Sequence, residues 1–229
     1  MVKKHMKRIA MPKTWQIKRK GIKFITRPNP GAHKLSESMP LNLILKQILG
    51  IETTKESKAI IYSNDVLVNG TARTEHRYNT GLLDVISFPK TKKHYRIILN
   101  KNAKIDTIEI PEKEAKLKPC RILDKTVLKG NKIQLNLHGG INITLDKNDY
   151  NTGDTLIITF PKLEIKEHIK FEKGSFIMLS GGKYAGKMGN ILDIEGNKIK
   201  FKSTGGNDYE TLKRFAFVIG KKKAAIKIE

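Results

Sequence analysis

Residues 133–145 read "IQLNLHGGINITL", and the apolar positions flanking the glycines decide between a two-residue and a three-residue loop. Ile133, Leu135 and Leu137 alternate before the turn, and Ile141, Ile143 and Leu145 alternate after it. Side chains of a strand point to opposite faces in turn, so a slip of one residue would send a whole apolar set into water. A two-residue Gly139-Gly140 loop would place Leu137 opposite Asn142 and split the apolar faces. A three-residue loop, His138-Gly139-Gly140, sets Leu137 opposite Ile141, Leu135 opposite Ile143 and Ile133 opposite Leu145. The longer loop is therefore expected. It puts His138 at a turn, where its role is shape rather than catalysis.

The same two signals, alternation and glycine punctuation, recur along the chain. "VLVNGTAR" places Asn69-Gly70, a strong hairpin signal, after Val66 and Val68. "TGLLDVISFPK" and its echo 72 residues later, "TGDTLIITFPK", both read as a turn followed by a strand. Only one stretch has helical spacing. Leu41, Ile44, Leu45 and Ile48 fall at helical intervals, with Ser38 as the expected cap, Pro40 in the first turn and Gly50 as the stop. Thr53 to Glu56 spells a capping box for a second short helix through Ile60 and Ile61. The expected class is α+β, mostly β.

"GGKYAGKM", residues 181–188, comes close to a phosphate-binding loop of nucleotide hydrolases. Met188 stands where a Ser or Thr hydroxyl must ligate magnesium, and a thioether is a poor ligand for that hard cation. The following "GNILDIEGNKIKF" reads as two strands, with Leu192 and Ile194 taken as the apolar face, and not as the helix such a loop must open. These glycines belong to a β module.

Charge limits what the chain can do. Forty-five Lys and Arg face 22 Asp and Glu, a formal net charge of +23. Such an excess repels itself until a polyanion offsets it, which points to nucleic acid. Residues 1–34 carry eleven Lys or Arg and no acid, and Pro12, Pro28 and Pro30 break any regular pattern. This arm is expected to order only against phosphates. Within it, Trp15 either stacks on a base or packs onto the next module. The last residues, with Lys221, Lys222, Lys223 and Lys227, are expected to form a second flexible basic tail.

Other classes find little support. No apolar run reaches the length of about 18 residues that a spanning helix needs, so no membrane association is expected. The basic start lacks the apolar stretch of a secretory leader. Cys120 is the only cysteine, and the six histidines form no pair at metal-ligand spacing, so neither a disulfide nor a bound metal or other cofactor is expected.

Particular motifs also resemble known families. The two helices followed by a hairpin around "VNG" resemble the alpha-L RNA-binding motif. Its pattern implies RNA contacts at Lys46, Lys55, Lys58, Arg73 and Arg77. "KGSFIMLSGGKYAGKMGNILDIEGNKIKF" resembles the KOW motif, which implies an SH3-like barrel and a glycine-basic loop carrying Lys183 and Lys187. Ala185 stands where a basic residue is common in that loop. Taken in order with "KKHMKRIAMPKTW", "RPNPGAHK", "LDVISFPKT", "KIQLNLHGG" and "YNTGDTLIITFPK", these stretches resemble the small-subunit ribosomal protein S4e family, archaeal type.

That resemblance implies a non-catalytic constituent of the small ribosomal subunit, cytoplasmic and ribosome-associated. Its partners would be ribosomal RNA and neighbouring ribosomal proteins, with no independent homo-oligomer. The expected modules are a basic extension 1–37, the alpha-L motif 38–93, a central β domain 94–170, the KOW domain 171–220 and a basic tail 221–229. Candidate RNA contacts in the arm are Lys3, Lys4, Lys7, Arg8, Lys13, Trp15, Lys18, Arg19, Lys20, Lys23 and Arg27. Structural roles in tight turns fall to Gly70, Gly139, Gly140, Gly182, Gly186 and Gly189.

Two alternatives have specific weaknesses. In a pseudouridine synthase, "CRILDKTVLKG" would supply Arg121 and a catalytic Asp124, but Ile122 interrupts the Arg-Leu-Asp pattern and no Thr-Ser-Gly follows. A KOW-bearing transcription factor would need a polymerase-binding segment, and none is legible.

Overall fold

The hairpin closes in the register its apolar pattern demands: Leu137 pairs with Ile141, Leu135 with Ile143 and Ile133 with Leu145. Leu135 and Leu137 go under the sheet with Cys120, Ile122, Leu156 and Ile158. The computed structural model describes residues 5–146 and 149–228. Lys3 and Lys4 lie outside the described residues. By their contacts the residues form two units. One runs to Ile98 and adds Lys104–Ala115; the other comprises Leu99–Ala103 and Lys116 onward.

In the first unit, helix α1 (Leu41–Leu49) turns Leu41, Ile44 and Leu45 inward and stops at Gly50, whose φ of 65° is left-handed. The expected Ser38 cap is not formed. Ser38–Pro40 is a short strand paired with Asn79–Gly81, and Pro40 itself occupies the N-cap position. Pro40 lacks an N–H, so it suits a site where helical donors are unpartnered anyway. Helix α2 (Thr54–Tyr62) has the expected cap: the Thr53 hydroxyl accepts from the Glu56 N–H at 3.2 Å.

The Asn69-Gly70 turn, with φ of 50° and 73°, joins Leu67–Val68 to Thr71–Ala72. That hairpin edges a five-stranded sheet continued by Val85–Phe88, Lys93–Leu99 and Ile105–Ile110. The sheet thus joins strands on both sides of residue 93. Arg96, on the Lys93–Leu99 strand, is fully buried, with its guanidinium 3.0 Å from Glu114 Oε2 and the desolvation of burial pulling its pKa down.

The basic arm departs most from expectation. From His5 it packs against the rest of the first unit. Met6, Met11 and Trp15 are buried, and Met6–Lys7 pairs with Phe24–Ile25. Trp15 is 1% exposed and its indole N–H donates to the Ser38 carbonyl at 2.7 Å, so packing prevails over base stacking at this residue. Their burial adds to the arm's hydrogen bonds, because each of the three side chains is large. Burying one is worth about 1.5–3 kcal/mol.

The second unit holds two antiparallel sheets. One orders Ile141–Leu145, Ile133–Leu137, Leu117–Val127, Thr155–Thr159 and Glu164–Ile169. The other orders Asp208–Leu212, Lys198–Ser203, Met188–Glu195, Phe176–Leu179 and Ala216–Gly220, the SH3-like half-barrel. Ile157 and Ile169 of the first sheet join Ile177, Ile191, Phe201 and Val218 of the second in one core. The expected apolar face needs correction here. A bulge between Ile191 and Asp193 shifts the register, so Ile191 is buried and Leu192 is 46% exposed.

The C-terminal tail is likewise not loose: Ile226 and Ile228 are buried, and the Ala225 N–H donates to the Ile219 carbonyl at 3.1 Å.

The two echoing segments share a physical device. Asp84 accepts from the Gly81 N–H at 2.8 Å and the Asn69 side-chain amide at 2.8 Å, and meets His33 Nε2 at 3.0 Å. Asp154 accepts from the N–H groups of Asn151 and Phe171, and meets His168 Nε2 at 2.8 Å. In each unit a buried carboxylate just before a strand ties together separate segments of the chain.

Candidate nucleic-acid interface

In the first unit, the arm, α1 and the chain around His76 enclose an open groove of about 720 Å3. Its walls bring together four of the expected RNA contacts, Arg8, Arg27, Lys46 and Arg77, with Glu52 as the one acid among the lining residues. Backbone groups set these positions. Arg8 N–H donates to the Lys23 carbonyl at 3.0 Å, and Arg77 Nε donates to the Arg27 carbonyl at 2.9 Å. Lys46 Nζ donates to the Glu52 carbonyl at 2.8 Å and the Thr54 hydroxyl at 3.0 Å.

Desolvation lowers the Lys46 pKa below its ordinary 10.5, with Arg8 adding to the effect and Glu56 opposing it. Desolvation also lowers His76 below 6.5, reinforced by nearby Lys58. A negative partner placed here would oppose both shifts, since a nearby anion stabilises the charged form of each side chain.

The other sequence candidates are dispersed. Lys7, Lys13, Lys18, Lys20, Lys23 and Lys55 are exposed, and Lys58 is half-buried. Arg19 spends donors on the carbonyls of Ile9 and Met11, at 2.7 and 3.0 Å, and so helps to close the arm. The Arg73 guanidinium lies 4.6 Å from the Tyr78 ring centroid.

In the second unit the glycine-basic loop is held mainly by its own backbone, with Gly186 N–H donating to the Leu179 carbonyl at 2.8 Å. Gly186 has φ of 82°, and a Cβ there would sit 2.0 Å from the Asn100 carbonyl oxygen. A Cβ on Gly189 would meet the Lys202 oxygen at 2.0 Å. This side of the loop faces protein. Lys187 is drawn in as well: its Nζ lies 3.9 Å from the Tyr209 ring centroid and 5.2 Å from that of Tyr184. Hydrogen bonding from Lys187, with a smaller contribution from Asn207, holds the Tyr209 phenol below its ordinary 10.0. Lys183 stays exposed.

Several participants escaped the sequence reading. Phe24, His5 and His76 line the first groove, yet a lone aromatic in a basic run carries no periodicity. A second cavity of about 470 Å3 gathers Lys170, Lys173, Lys221 and Lys222 in the second unit. The long lysine-rich tail was the available signal, but its fold-back depends on Ile226 and Ile228.

The enzymatic alternative gains nothing from the geometry. Asp124 is exposed and its carboxylate accepts the Lys125 N–H, while Arg121 donates to the carbonyls of Arg214 and Ala216. Among the described residues no cluster of three His, Cys, Asp or Glu could hold a metal, and no helix is long and apolar enough to cross a membrane.

Comparison with known proteins bears on the whole chain. Residues 91–165 match the ribosomal family S4e, and residues 2–36 match the RS4NT (NUC023) domain. The small ribosomal subunit protein eS4 of Methanocaldococcus jannaschii is 40% identical over 240 residues, covering 99% of this chain and 98% of that one. The eS4 protein of Methanosphaera stadtmanae is 39% identical, covering 99% and 96%. The crystal structure of the 30S ribosomal protein S4e from Thermoplasma acidophilum superposes with a TM-score of 0.72 at 26% identity, over 82% of this chain and 97% of that one.

Proposed function

Because the chain belongs to the ribosomal S4e family, we propose that it is a structural constituent of the small ribosomal subunit and binds ribosomal RNA there. The observation that carries the RNA contact is the first-unit groove, where Arg8, Arg27, Lys46 and Arg77 converge around a single acid. Closely spaced phosphates would neutralise these cations and release bound counterions, a source of affinity that does not read sequence. Selection among RNAs then comes from shape and from loops that fit the folded modules.

Exposed lysines of the arm, with Lys55 and Lys58 on α2 and Lys183 on the glycine-basic loop, extend the contact surface. Lys187 and Arg73 support it from their aromatic seats. The chain acts without chemistry of its own, beside other ribosomal proteins, in the cytoplasm.

The test is a filter-binding titration of the full chain against small-subunit RNA over a series of salt concentrations. Replacing Arg8, Arg27, Lys46 and Arg77 by Gln should weaken binding and flatten the slope of log K against log salt by about 0.7–0.9 for each phosphate no longer neutralised. An unchanged slope would remove the groove from the interface, and no affinity for the RNA at moderate salt would end the proposal.

A further inference from the structure

The groove contains more than charge. Ile22 and Phe24 line it at 74% and 47% exposure, in a stretch that also carries Lys18, Arg19, Lys20, Lys23 and Arg27. Phosphates need no aromatic ring. Unpaired bases do, because an exposed base regains on a flat apolar face the stacking it lacks in the RNA. The Phe24 ring is already bordered by His5, at a centroid distance of 5.6 Å, and by Lys23 Nζ at 5.5 Å. Arg27 is half-buried, and its guanidinium makes no hydrogen bond to another described residue, which leaves a planar donor fork for a phosphate or a base edge.

Size points the same way. A groove of about 720 Å3 lies in the range of about 300–1,000 Å3 that encloses small molecules, and an intact double helix cannot enter it. We propose that the groove receives an unpaired nucleotide of the RNA, with its base stacked on Phe24 and its phosphate held by the neighbouring arginines. This rests on the RNA-binding reading and narrows its ligand from RNA in general to a bulged or looped nucleotide. The four cations around one acid favour a nucleotide over a protein side chain as the occupant.

The experiment uses the full chain and two RNA hairpins that differ only in one bulged 2-aminopurine. The protein should prefer the bulged hairpin by about tenfold, within the span of measured base–aromatic stacking effects, and should quench the 2-aminopurine on binding. Phe24→Ala should erase the preference while leaving affinity for the paired hairpin within about twofold, and Phe24→Trp should keep it. Because the ring is half exposed, these variants should fold, and the quenching of the unaltered protein needs no variant at all.

Equal affinity for both hairpins without quenching overturns the inference, as does a preference that survives Phe24→Ala. So does a Phe24→p-benzoylphenylalanine chain that cross-links only to protein in assembled subunits. Tight binding to small-subunit RNA alongside any of these results leaves the RNA-binding reading standing. Failure to bind any of the RNAs would remove both.

Discussion

Gly186→Ala isolates the geometry that the glycine-basic loop depends on. The residue has φ of 82°, and its added Cβ would lie 2.0 Å from the Asn100 oxygen, where ordinary contact begins at 3.4 Å. Left-handed backbone costs an L-residue about 1–2 kcal/mol. Moving a backbone carbonyl more than an ångström out of a packed turn adds about 1–3 kcal/mol, the usual range for overpacking. The sum, about 2–5 kcal/mol, is a large part of a domain's net stability and should lower the melting temperature by roughly 8–20 °C.

Two controls separate the contributions. Gly196 has φ of 55° with nothing within 4 Å of its Cβ position, so its Ala variant should show the backbone cost alone. Gly205 has neither constraint, and its Ala variant should lie within about 0.5 kcal/mol of the parent. Thermal unfolding followed by circular dichroism gives the order. If Gly186→Ala melts with Gly205→Ala, then neither the positive φ nor the Asn100 contact constrains this turn, and the reasoning fails.

Other expectations follow from single side chains. Trp15 is the only tryptophan, so its fluorescence reports on the packing reading directly. Emission should be blue-shifted in the free protein and unchanged when RNA binds, whereas quenching by RNA would show that the ring leaves its seat to stack. Trp15→Phe should cost about 1–3 kcal/mol in urea unfolding, because the buried Ser38 carbonyl loses its 2.7 Å donor. His76 should make stability depend on pH. Its folded pKa lies below 6.5, so the unfolded chain binds the proton more readily, and the stability present above pH 6.5 is lost as pH falls from 6.5 through the lower folded pKa. His76→Gln should flatten the urea midpoint over that window, and an unchanged profile would show that the imidazole does not contribute.

The sequence disclosed what is set within a few residues. Strand periodicity chose the three-residue loop His138-Gly139-Gly140 over a two-residue one, because a slip of one residue would split the apolar faces. Asn69-Gly70 and Thr53 announced their turn and cap through backbone chemistry that needs no tertiary partner. What stayed hidden depends on distance along the chain. Ser38 became a strand residue because Gly81 lies across from it, and His33 meets Asp84 from 51 positions away. The arm looked unable to fold because Met6, Met11 and Trp15 are spaced too far apart to form a pattern; they find their burial against the rest of the first unit. The bulge after Ile191 breaks the simple alternation of its strand, burying Ile191 and exposing Leu192 while Ile194 still packs against the core. In the groove, the cations were legible as a class, but Phe24 and His76 acquired meaning only once the arm closed beside them.

The most direct measurement is sedimentation of native extract through a sucrose gradient at moderate salt, with this chain detected in every fraction. It should travel with the small subunit and with whole ribosomes, and should leave them as rising salt screens its contacts with phosphate. Recovery at the top of the gradient, or with polymerase in fractions free of ribosomal RNA, would contradict the assignment.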